Sequence, residues 1–79
     1  MVSYEETRER REEEAEDVRS AADAVRLARL RYSRGNTSYL EVLTTDTDLY
    51  SAELLLAQAQ RQEASSLVQL YSALGGGWQ

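Results

Sequence analysis

YLEVLTTDTDLYSAELLLAQAQRQEASSLVQLYSAL, residues Tyr39–Leu74, is the stretch that the rest of the chain has to be read around. Within it Leu43, Tyr50, Ala57, Ala64 and Tyr71 recur every seven residues, and Val42, Leu49, Leu56, Leu67, Leu70 and Leu74 form a second apolar row on the same helix. Seven-residue recurrence is the period of helices that wind about one another. A helix with two apolar rows needs a neighbour on each, and a hairpin partner supplies only one. The chain is therefore predicted to pack side by side with further helices, in a bundle, coiled coil or helical barrel. The polar positions Thr44, Asp48, Ser51, Gln58, Gln62, Ser66 and Gln69 gather in a third sector, which is read as facing water.

Immediately upstream stands Arg34-Gly35-Asn36-Thr37-Ser38. Gly35 can take the left-handed conformation that ends a helix without a Cβ penalty. Ser38-Tyr39-Leu40-Glu41 matches a capping box, with the serine oxygen expected to accept from the Glu41 N–H and the glutamate to reach back. So short a connection between two long helices predicts an antiparallel hairpin, all-α, with helices over about 3–34 and 38–74 and a turn at 35–37. At the far end Gly75 is the expected cap, with a flexible tail over 75–79. The second helix, at about 1.5 Å per residue, is a rod of roughly 54 Å.

The first helix changes character near Val18. Before it, Glu and Arg dominate, with Tyr4 and Ala15 the notable apolar residues; after it come Val18, Ala21, Ala22, Ala24, Val25, Leu27, Ala28, Leu30 and Tyr32. Its first four turns have good helix propensity and little to bury, so they are expected to fray in isolation. Ala21, Ala22, Ala24 and Ala28, with Ala52, Ala57, Ala59 and Ala64, are read as contact positions where small side chains let helix axes approach.

Composition narrows the function. A chain of 79 residues has room for one helical hairpin and a thin core, which points to self-association. No cysteine and no histidine occur, which removes thiol chemistry, the commonest general base and the commonest metal ligand. Paired carboxylates would need a pocket that two helices do not enclose. No enzyme activity, metal or cofactor is expected. The net charge of −5 argues against nucleic acid and anionic membrane. Arg8, Arg10 and Arg11 lie among glutamates, as on a solvated helix face with i,i+4 pairs. No stretch is long and apolar enough to span a bilayer, and no apolar signal-peptide core follows the N-terminus, so the chain alone is expected to be soluble and without a targeting signal.

Three strings carry a resemblance: Ala24 through Leu43 (AVRLARLRYSRGNTSYLEVL), Leu49 through Leu54 (LYSAEL) and Leu70 through Trp78 (LYSALGGGW). Together they resemble the C-terminal part of bacterial outer-membrane efflux proteins of the TolC-like family. The likeness runs from about Val18 onward. Its most specific elements are the tyrosine three residues before glycine, Ser-Tyr-Leu-Glu-Val-Leu, and Ala-Leu-Gly-Gly-Gly-Trp.

The resemblance implies a trimeric parent protein whose β-barrel crosses the outer membrane and whose long helices form a hollow barrel through the periplasm. The hairpin turn would sit at the periplasmic tip, facing an adaptor protein and through it an inner-membrane pump. It assigns adaptor contact to Arg34, Gly35, Asn36, Thr37 and Ser38, and tip closure to Tyr32 and Glu41. Thr44 stands where the family carries a further carboxylate, and Thr37 where some members carry arginine. Trp78 follows a glycine run and is read as either tail or anchor. With strands and further helices missing, 79 residues enclose no channel, so the chain reads as an excised or reworked segment or a small relative. The alternative is a generic or engineered hairpin that homodimerises into a four-helix bundle through Leu49, Leu56, Leu67 and Leu70.

Overall fold

Ser3 opens the first helix: its hydroxyl oxygen accepts from the Glu6 backbone N–H at 3.2 Å and donates to the Glu6 carboxylate. From there α1 runs Tyr4–Ser33 and α2 runs Tyr39–Ala73, antiparallel, in a rod of 63 × 20 × 14 Å. This computed structural model describes residues 3–75. The expected tail beyond Gly75, with Trp78, lies outside the described residues. Both helices fall within a residue or so of their expected bounds.

The turn closes as its residue types require. Gly35 has φ +75°, its N–H donates to Tyr32 O at 3.0 Å, and the Asn36 N–H donates to Arg31 O at 2.8 Å. That pair of bonds is the Schellman arrangement, which satisfies carbonyls that the helix end leaves unpaired. Gly75, at φ +89°, donates to Ser72 O at 3.0 Å just past the end of α2.

The capping box expected at Ser38 does not form. Ser38 has the extended backbone of an N-cap, but its side chain makes no capping bond. The Glu41 carboxylate is instead engaged by the Arg31 guanidinium and the Thr37 hydroxyl. A charge-assisted bond to arginine outcompetes one to a serine backbone N–H, and that competitor sits on the other helix, out of sight of a local motif.

The helices meet along one seam. On α1 it is built from Tyr4, Thr7, Arg11, Glu14, Val18, Ala21, Val25 and Ala28; on α2 from Val42, Thr45, Leu49, Ala52, Leu56, Ala59, Glu63 and Ser66. Spacings alternate three and four, the repeat of an antiparallel coiled coil. Burial is deepest at Ala28, Ala59, Val42 and Thr7, 1–3% exposed, and small residues at the first two allow close approach. Ala21 and Ala52 share that seam, whereas Ala22, Ala24, Ala57 and Ala64 are exposed.

The seam's chemistry changes along its length. Near the turn it is Val, Ala and Leu with Thr45, whose hydroxyl donates to its own helix at Glu41 O and Val42 O. Toward the open end it becomes Thr7, Arg11 and Glu14 against Glu63 and Ser66, with Arg11 Nε donating to Glu63 Oε1 at 2.9 Å and Nη2 to Oε2 at 3.4 Å. Thr7, 3% exposed, donates its hydroxyl to Tyr4 O at 2.8 Å. The turns before Val18 are thus helical and docked through polar groups. Ser66, expected in the water-facing sector, is buried instead, because α1 extends back far enough to cover it.

Candidate functional site

Two surfaces are set up by this fold: the tip of the hairpin, and the side of α2 turned away from α1. At the tip the expected contact residues Arg34, Gly35, Asn36 and Ser38 are exposed, and Thr37 is half-buried. Tyr32 and Tyr39 face each other across the turn with ring centroids 5.4 Å apart and planes inclined at 50°. Such a tilted pair contributes roughly 0.5–1.5 kcal/mol beyond its buried area. Both rings keep about half of their surface in solvent, 47% and 55%.

Behind the rings lies an ion-pair ladder between the helices. Glu41 is held by Arg31 and Thr37, and a helical turn further in Arg29 Nη2 donates to both carboxylate oxygens of Asp46 at 3.0 and 3.1 Å. The fold therefore places Tyr32 and Glu41 both near the tip, in separate contacts: Tyr32 against Tyr39, and Glu41 with Arg31 and Thr37. Arg31, Arg29 and Asp46 look like ordinary surface charges in a linear chain. Only the hairpin register brings them opposite one another.

The rows on α2 are also resorted by the fold. Leu49 and Leu56 are half-buried in the seam against α1, while Leu67 and Leu70 are exposed toward the open end. The other row, Leu43 to Tyr71, stays uncovered, and a companion row completes it: Leu40, Thr47, Leu54, Arg61 and Val68, each three residues before its neighbour in the first row. The interleaved set repeats the three-four spacing of the occupied seam. Its centre lies about 150° around the helix from that seam, at 3.6 residues per turn. Leu40, Leu43, Tyr50, Leu54, Val68 and Tyr71 are 45–71% exposed along it. Near the turn it opens into a shallow groove of about 290 Å³ lined by Leu40, Leu43, Thr44, Thr47 and Asp48. The signal for this second seam was the fourteen-residue spacing of Leu40, Leu54 and Val68, which an isolated row of seven does not display.

Exposed apolar stripes of this length mark a surface made to be covered. Among the described residues no helix is long and apolar enough to cross a membrane, so lipid is not what covers it by spanning.

The family model described as outer membrane efflux protein matches residues 2–76. The chain belongs to that family. Its similarity to individual outer membrane efflux proteins is substantial but local. It is 48% identical over 52 residues to a solvent efflux pump outer membrane protein of Pseudomonas putida, covering 66% of this chain and 11% of that protein. It is 41% identical over 64 residues to a pyoverdine export outer membrane protein of Pseudomonas putida, covering 81% of this chain and 14% of that protein. A cation efflux system protein of Escherichia coli is 40% identical over 52 residues, covering 66% of this chain and 11% of that protein. The chain thus spans 11–14% of the length of these relatives. No solved structure matches it significantly.

Proposed function

We propose that this hairpin serves as wall and docking tip of an outer-membrane efflux channel, in a trimer that stands in the outer membrane and periplasm. α1 and α2 are two neighbouring staves of the periplasmic helical barrel, and the turn meets a periplasmic adaptor that leads to an inner-membrane pump. The hairpin moves no cargo alone and performs no catalysis. The observation that carries this reading is the pair of seams on α2: α1 occupies one, and a stave in a barrel requires a neighbour on the other flank.

The tip fits the same role. Its backbone is locked by the Schellman bonds and the ion-pair ladder, so Arg34 to Ser38 are presented on a rigid support. Docking to a preorganised surface avoids the ordering cost that a loose loop would incur. Tyr32 and Glu41 belong to the interactions that narrow the channel at this end, with Arg31 as the partner that this chain supplies. The relatives are named for solvents, pyoverdine and cations, yet all share this segment with the chain at 40–48% identity. That pattern suits a wall and tip common to several cargoes better than a site that selects one.

Titrating the isotopically labelled chain with a periplasmic adaptor hairpin tests the docking assignment. Amide shifts are expected to concentrate at Gly35 to Leu40. Amides there that stay unmoved at high adaptor concentration, both for the chain alone and with the segment in a full-length channel, refute it.

A further inference from the structure

Arg61 is the one charged residue in the uncovered seam of α2, which runs from Leu40 to Tyr71, and it is the only basic residue in that helix. It is exposed, with no hydrogen-bond or ion-pair partner among the described residues. Its own helix offers none. The positions three and four residues away, where helical ion pairs form, are Ala57, Gln58, Ala64 and Ser65. Glu63, the nearest acid in sequence, faces the other seam and is taken by Arg11.

Leu54 and Val68, seven residues to either side, are 49% and 65% exposed, so the charge sits inside an apolar surface suited to being covered. A guanidinium keeps its proton in a protein. Under apolar side chains alone it would lose its water with nothing in exchange. We propose that the helix closing this seam sets a carboxylate against Arg61, and that it comes from a part of the parent channel outside this segment. This rests on the barrel reading above, in which α2 has a second neighbour. Arg61 lies about 33 Å along α2 from Tyr39, at 1.5 Å per residue, so the carboxylate belongs at that height above the tip.

Two features argue against another copy of this hairpin as the cover. Copies of a trimer run in the same sense, so a second α2 would bring Arg61 against Arg61. A second α1 has the wrong surface: its side away from the seam carries Glu5, Glu9, Glu12, Glu16, Arg19 and Asp23, all exposed. That side would press ions against Leu54 and Val68. The segment spans only 11–14% of its relatives' length, which leaves most of such a protein to supply the helix.

In a full-length channel carrying this segment, p-benzoylphenylalanine placed at Ala57 or Ala64, on either side of Arg61, maps the cover. Photo-adducts are expected on a helix outside the segment, with Asp or Glu within a turn of the adduct. Arg61→Leu should cut the trimer surviving a fixed heat step by at least about tenfold, since removing one member of a buried pair strands the other charge. The isolated hairpin, where Arg61 is exposed, should melt unchanged with the same substitution. Arg61→Glu should harm the trimer more, and changing the mapped acid to arginine as well should recover most of the loss. Adducts on an outside helix with an Arg61→Leu trimer as durable as the original overturn the carboxylate and leave the barrel reading standing. Adducts confined to a second copy of this segment overturn the assigned cover alone. No adduct on any other helix overturns this proposal and the barrel reading together.

Discussion

Gly35 and Glu41 show how differently single residues are constrained in this hairpin. Gly35 has nothing within 4 Å of the position a Cβ would occupy, so the demand for glycine is purely conformational and comes from φ +75°. Gly35→Ala is therefore expected to lower stability by about 1–2 kcal/mol, the cost of a left-handed L-residue, without a packing defect. A thermal melt measures it, and Gly35→Asn should cost less because asparagine tolerates that region. Glu41 is constrained by partners: Glu41→Gln removes the charge that holds Arg31, and the expected outcome is faster amide exchange at Thr37 to Leu40 with little change in melting temperature. Arg11 differs again, since its hydrogen bond to Glu63 raises its pKa above arginine's ordinary value. A group raised on folding contributes stability below its unfolded value and loses it only as pH climbs through the folded one. Nothing is lost on the arginine side between neutral pH and pH about 10, so melts over that window should show no alkaline fall traceable to this pair.

At the level of the helices, the seam is a close contact of small residues rather than a thick core. Ala28 and Ala59 are its tightest points, and no large side chain among the described residues is fully buried. Ala59→Leu should force the helices apart and cost about 1–3 kcal/mol, visible as a lower denaturation midpoint with α2 still helical. The same substitution at Ala57, exposed on the opposite face, should leave hairpin stability nearly unchanged. Comparing the two separates the occupied seam from the open one. This contrast was only half legible beforehand. The seven-residue rows announced that α2 has two packing faces, but periodicity marks both as apolar and does not say which of them α1 takes. Leu49 and Leu56 went to the seam, while Leu67 and Leu70 of the same row stayed exposed.

The whole molecule is a rod of 63 × 20 × 14 Å with one flank of α2 occupied by α1 and the other exposed. Local chemistry in the chain was sufficient to determine two helices, their limits and the turn, because helix propensity, heptad spacing and the conformational freedom of Gly35 act within a few residues. The strings around the turn were likewise enough to indicate the family. What only the tertiary structure decided were the partnerships across the hairpin: Arg31 taking Glu41 from Ser38, Arg29 facing Asp46, Arg11 meeting Glu63, and Ser66 passing from surface to seam. Each depends on the register between residues distant in sequence. That register is set by the summed fit of a whole seam, a sum to which no single residue or short motif contributes enough to reveal it.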